Sequence, residues 1–207
     1  MPITANQIAR ALLVAGAVQF RPDQPFTFAS GIRSPVYCDN RLLLGDVPVR
    51  RLVSSAFAEF CRDADVIAGP ATGGIPWAAW AAELTSVPMA YVRSSAKGHG
   101  RGQQIEGAAV QGRQVVILED TISTGESALN AAAALRAANA ELLRCVCIFT
   151  WGWQATVERF QQEQLPLQAL ATLDDLLDAG TQFEQLSSAQ RATIERWAAD
   201  PEHWSPE

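Results

Sequence analysis

Lysine is almost missing from this chain. Of its 16 Lys and Arg side chains only Lys97 is a lysine, and of its two histidines one, His99, follows two residues later. A lysine is a compact, mobile ammonium whose pKa shifts readily, unlike the arginines that carry every other cation here. Its isolation marks residues near 97 for a functional role. Cysteine is also sparse. Cys38, Cys61, Cys145 and Cys147 include no C-x-x-C spacing, which excludes the common zinc and dithiol motifs. They are expected to be buried free thiols in a reducing, cytoplasmic setting. No apolar run reaches the roughly 18 residues of a membrane span. The opening residues are interrupted by Asn6, Gln7 and Arg10 and lack a basic start, so no signal peptide is expected. Positive charge is in deficit: the net charge of −6 argues against nucleic acid or an anionic membrane as a general partner. An anionic substrate would therefore need a locally basic site.

The 207 residues suffice for one domain with a full core. Thr4 and Gln7 have capping-box spacing, predicting a first helix that ends near Gly16. A loop-rich stretch from Phe20 to Asn40 follows, punctuated by Pro22, Pro25, Gly31 and Pro35. From about residue 46 the pattern becomes regular. Helices are predicted over 47–61, 76–84, 127–139 and 154–162, and short apolar strands over 65–69, 88–92, 114–120 and 142–149. Strands alternating with helices imply a parallel sheet covered on both faces, with ligands beyond the carboxyl ends of the strands. From about Thr172 the tail reads as short helices.

Three strand-end segments carry chemistry. In the first, VVILEDTISTGES (115–127), an apolar strand runs into Glu119 and Asp120, then a glycine- and hydroxyl-rich turn, then a helix start. Backbone N–H groups at such a turn suit a phosphate dianion, and Thr121, Ser123, Thr124 and Ser127 add hydroxyl donors. The two acids make sense only if they face something other than that phosphate, such as vicinal hydroxyls or a developing cation. A phosphorylated ribose supplies both. The bland reading is a strand–helix turn with capping hydroxyls. The second segment, AGPATGGIP (68–76), has glycines that would let amides approach a diphosphate, although glycine-rich turns are common. The third, YVRSSAKGHGRGQQIEG (91–107), holds Arg93, Lys97, His99 and Arg101 with no acid before Glu106. Its length and polarity suggest a lid over the site; the bland reading is a solvated basic loop.

The first segment resembles the phosphoribosyl pyrophosphate (PRPP) signature of the type I phosphoribosyltransferases. All three together, with FTFASGIRSPVYCDNRLLL (26–44) and the closing ADPEHW, resemble the orotate phosphoribosyltransferases over nearly the whole chain. The resemblance implies a single domain: a Rossmann-like parallel sheet at 46–171, a small N-terminal orotate-side hood at 1–45, and a helical tail at 172–207. It implies transfer of the 5-phosphoribosyl group from PRPP to orotate, with magnesium. Arg93, Lys97 and His99 would contact pyrophosphate as the catalytic group, and the lid would reach a neighbouring subunit's site in a homodimer. Ala71, Thr72, Gly73 and Gly74 would hold the diphosphate. Glu119 and Asp120 would hold the ribose hydroxyls. Thr121, Ile122, Ser123, Thr124, Gly125, Glu126 and Ser127 would cradle the 5-phosphate, with Ser123 also near orotate.

Three positions depart from the family pattern. Ser94 stands where many members have a lysine after the lid arginine, Ala29 replaces a lysine, and FTWGW follows the fourth strand where some place an arginine. Arg33 is the candidate partner for the orotate carboxylate and Tyr37 a ring contact. A purine- or other pyrimidine-using relative remains an alternative, as does a PRPP-sensing regulator, although no basic stripe for nucleic acid is present.

Overall fold

The computed structural model describes residues 2–27, 33–95, 104–201 and 203–205. The chain forms two compact units, one built on Arg51–Leu170 and the other on Thr4–Arg50 with Ala171–Glu207. The first and last parts of the chain thus share a unit, and the continuous middle forms the other.

In the split unit, α1 (Ala5–Val14) begins at a Thr4 capping box with Gln7, as the spacing predicts. Then come β1 (Val18–Phe20), the short β2 (Phe26–Thr27) and β3 (Arg33–Ser34), β4 (Val36–Cys38), and a 3-10 turn at Asn40–Gly45. β1 pairs with β4 and β2 with β3, both antiparallel. Helix α2 (Val47–Phe60) carries the chain into the middle unit.

The middle unit contains β5 (Val66–Pro70), α3 (Gly74–Thr85), β6 (Met89–Val92), β7 (Ile105–Gly107), β8 (Gln114–Ile122), α4 (Glu126–Ala137), β9 (Glu141–Thr150) and α5 (Gln154–Gln162), and β10 (Leu167–Thr172) closes it. The chain then returns to the split unit as α6 (Leu173–Gln182) and α7 (Ser188–Ala199). The six-stranded sheet has the order β10-β9-β8-β5-β6-β7. β9, β8, β5 and β6 pair in parallel, and β7 runs antiparallel to β6. The fold is therefore the expected α/β class with a mostly parallel sheet.

Alternation along the strands divides the core. Val115 and Ile117 join Ala128, Ala131, Ala132, Leu135, Cys145, Cys147 and Phe160 in one buried cluster. Val116 and Leu118, equally buried, project to the opposite face, where α3 packs on β5 and β8. Cys61, Cys145 and Cys147 are buried and Cys38 is half-buried; all four are free thiols.

This topology fixes where a ligand can sit. From β5 the chain builds outward through β6 and β7, then returns to the other side of β5 as β8 and builds away through β9 and β10. The strand order reverses between β5 and β8. Loops leaving the carboxyl ends of such neighbours go to opposite faces and open a crevice between them. Those loops are residues 71–73 and 123–125.

Candidate active site

The structure has this crevice. A cavity of about 440 Å³ is lined by Pro70 and Ala71 at the end of β5, by Val92, Arg93 and Ser94 at the end of β6, and by Thr121 to Ala128 around the β8–α4 turn. Three segments far apart in sequence thus share one opening.

The two acids of β8 part company there. Successive residues on a strand face opposite sides of a sheet. Glu119 follows Val115 and Ile117 inward and is only 4% exposed. Its Oε2 accepts from Ser127 Oγ at 3.1 Å and its Oε1 from the Asp120 amide at 3.0 Å. Burial, then the neighbouring Asp120 charge, pushes its pKa up to about 8. Asp120 takes the other face, where a Cβ added to Gly73 would lie 2.6 Å from its Oδ2. Glycine at 73 therefore lets the Ala71–Gly74 turn close onto this carboxylate. Gly74 is held as tightly, since a side chain there would run into the Leu118 carbonyl. The peptide bond between Ala71 and Thr72 is cis.

The 121–127 turn enters α4 through Gly125, whose φ of +75° suits glycine. The N-cap of α4 is Gly125 itself, which has no side chain to offer. The Ser127 hydroxyl is given to Glu119 instead. Ile122 turns its side chain into the core, at 1% exposure, and its carbonyl accepts from Thr150 Oγ1 at 3.2 Å.

At the third segment, the Arg93 amide donates to the Gln104 carbonyl at 2.9 Å, and Gln104 Nε2 donates to the Arg93 carbonyl at 2.8 Å. Residues 93 and 104, which flank the 94–103 segment, are thereby tied together beside β6 and β7. The Arg93 guanidinium lies 3.4 Å from Glu106 in an ion pair. Lys97 and His99 lie outside the described residues.

Comparison with known proteins decides the family. Residues 47–163 match the phosphoribosyl transferase domain family. An orotate phosphoribosyltransferase of Bacillus caldolyticus is 45% identical over 96% of this chain and 98% of its own. The chain belongs to the orotate phosphoribosyltransferase family. Among solved structures, the orotate phosphoribosyltransferase of Aeropyrum pernix superposes with a TM-score of 0.73 at 30% identity, covering 87% of this chain and 99% of its own. The UMP synthase of Leishmania donovani gives 0.78 at 29% identity over 94% of this chain, which spans 42% of that longer polypeptide.

Within this family frame, Arg33 and Tyr37 belong to the split unit. Arg33 is exposed, and its carbonyl accepts from the Nε1 of buried Trp197 at 3.1 Å. The Tyr37 ring packs on Phe26 with centroids 5.3 Å apart. Sequence reasoning missed Thr156, Arg159 and Phe160 of α5, which stand behind the 123–125 turn. It also missed Gln104 and Glu106, both of which bond Arg93. A separation of some thirty residues in the first case, and a three-residue edge strand in the second, left no periodic signal to read.

Proposed function

We infer that this protein transfers the 5-phosphoribosyl group of PRPP to orotate, giving orotidine 5'-monophosphate and pyrophosphate in pyrimidine biosynthesis. It is an orotate phosphoribosyltransferase, a pentosyltransferase. The observation that carries the reading is the single crevice shared by Ala71, Arg93 and the Thr121–Ser127 turn. It offers separate anchoring points for the two ends of one phosphorylated sugar.

In this reading the 121–127 backbone and hydroxyls take the 5-phosphate, Asp120 takes ribose hydroxyls, and the 71–74 turn takes the diphosphate. The anomeric C–O bond breaks and a C–N bond forms to a ring nitrogen of orotate. Positive charge grows on the ribose while negative charge leaves with pyrophosphate, so the protein acts by positioning and fixed electrostatics. Asp120 and the buried Glu119 lie on the ribose side of that charge separation. Arg93, Lys97 and His99 lie on the pyrophosphate side, and Lys97 or His99 donates a proton to the leaving group. Arg33 meets the orotate carboxylate, Tyr37 its ring, and Ser123 its edge. Closing the 94–103 segment excludes water, the competing nucleophile.

The donor set fits magnesium carried in on the substrate. Among the described residues no group of three or more His, Cys, Asp or Glu could hold an ion by itself. Asp120 offers hard oxygens beside the diphosphate turn, and PRPP supplies the rest. Bound magnesium would neutralise diphosphate charge. A homodimer with lids exchanged between subunits completes the proposal. Four free cysteines suit a cytoplasmic location. Among the described residues no helix is long and apolar enough to cross a membrane.

The test is loss of orotate absorbance on adding PRPP and magnesium, with uracil and hypoxanthine as controls. Turnover of a control base in place of orotate would overturn the substrate, and no turnover of any base would overturn the reaction.

A further inference from the structure

The face of the 121–127 turn that points away from the cavity is pinned from behind. Thr156, 3% exposed, donates from Oγ1 to the Ser123 carbonyl at 2.6 Å. Arg159, one turn along α5, donates from Nη1 to the Thr124 carbonyl at 2.8 Å. The Phe160 ring fills the space that a Cβ on Gly125 would need. Three consecutive residues of the turn are therefore held by one face of α5.

A peptide group is planar, and in the trans form its C=O and the following N–H point in opposite directions. Two carbonyls drawn toward α5 turn the N–H groups of Thr124 and Gly125 away from it. Both residues line the cavity. An amide whose own carbonyl already accepts a hydrogen bond is polarised and becomes a stronger donor. A charged donor such as Arg159 has the larger effect.

We propose that Thr156 and Arg159 are positioning residues that aim and strengthen the Thr124 and Gly125 amides for the 5-phosphate of the sugar substrate. They act through the backbone without touching that substrate. The proposal rests on the PRPP reading of the cavity and adds to it the device that sets the cradle's geometry.

The test compares wild type with Thr156→Val, Thr156→Ser, Arg159→Gln and Arg159→Lys. Calorimetry gives Kd for ribose 5-phosphate and, separately, for magnesium pyrophosphate; steady-state kinetics gives kcat and KM for PRPP; a melting curve reports folding. Losing one such hydrogen bond is expected to raise the ribose 5-phosphate Kd and the PRPP KM about tenfold. The change in kcat should stay below about threefold, because the phosphate is a remote handle bound alike in ground and transition states. Pyrophosphate affinity should not change, and Thr156→Ser, which keeps the hydroxyl, should behave as wild type. A merely structural role would lower the melting temperature while leaving ribose 5-phosphate affinity intact, or would weaken both ligands equally, and either result overturns the proposal. Thr156 is buried, so if its valine variant does not fold, the exposed Arg159→Gln decides by the same comparison. A wild type that binds ribose 5-phosphate yet does not consume orotate would overturn the proposed reaction instead, and the Kd comparison would still decide this inference.

Discussion

Gly73 rests directly against the carboxylate of Asp120, with no room between them for a methyl group. One residue ends the turn after β5 and the other lies near the carboxyl end of β8, so this contact joins two segments that lie almost fifty residues apart. A side chain at 73 must push either the turn or the acid away. Gly73→Ala is expected to raise the PRPP KM at least tenfold and to lower turnover, with the overpacking costing about 1–3 kcal/mol of stability. Gly45→Ala is the control, since nothing lies within 4 Å of a Cβ there. Equal kinetics for both variants would show that the Gly73 contact does not shape the site.

Glu119 gives a pH signature in the ligand-free protein. Its folded pKa of about 8 exceeds the ordinary value of 4.5, so between these pH values the folded state keeps a proton that the unfolded chain has released. The unfolded state then binds fewer protons, and stability falls as pH rises. The contribution is complete below about 4.5 and is lost as pH climbs through about 8. One titrating group sets a limiting slope of roughly 1 kcal/mol per pH unit. Unfolding curves from pH 5 to 8.5 should therefore show a shallower decline for Glu119→Gln than for wild type. Parallel declines would mean that Glu119 is ionised throughout.

The acids of β8 also show what a strand pattern reveals and what it hides. Residues 115–118 could be assigned to a buried strand from the sequence, and the motif after them located the site. Glu119 and Asp120 were read as a pair, yet two adjacent strand residues cannot share a face. Because all four residues of 115–118 are apolar and buried, the sequence pattern could not show which acid turns inward. The split-unit architecture had no comparable signal, because it depends on α6 and α7 meeting residues more than a hundred positions earlier. Nor did β7, whose Ile-Glu-Gly is too short to show a period, or the α5 anchors, which act through carbonyls that any residue possesses. The Thr4 capping box and the boundaries of α5 depend on local chemistry alone, and both agree with the structure.

Lys97→Ala is expected to lower kcat by about a hundredfold or more while changing PRPP affinity by less than about tenfold, as befits a group acting on the departing pyrophosphate. Because Lys97 is the sole lysine, amine-directed labelling offers an independent measurement, with the N-terminal amine as the only competitor. PRPP with magnesium should protect it; equal labelling with and without substrate would remove it from the closed site.

Mixing two inactive proteins tests lid exchange. If Lys97 serves the neighbouring subunit, dimers combining Lys97→Ala with Asp120→Asn contain one intact site, and an equimolar reassociated mixture should recover about a quarter of wild-type activity. Recovery of nothing, with mixed dimers demonstrated by mass, would place lid and acid in the same subunit.

Arg33→Ala should raise the KM for orotate while leaving that for PRPP unchanged. Its backbone anchor to Trp197 does not involve the guanidinium, so the fold should be preserved. A shift in the PRPP constant alone would reassign Arg33 to the other substrate.

Reciprocal bonding of Arg93 and Gln104 has a consequence for how this protein can vary. The bonded pair fixes the two anchor points of the 94–103 segment. Residues can be added or exchanged within it without shifting the register of β6 on β7, and each doubling of its length adds only about 0.6 kcal/mol of closure entropy. Evolution, or a designer, can therefore rewrite the part of the molecule that carries its only ammonium side chain and leave the neighbouring strands as they are.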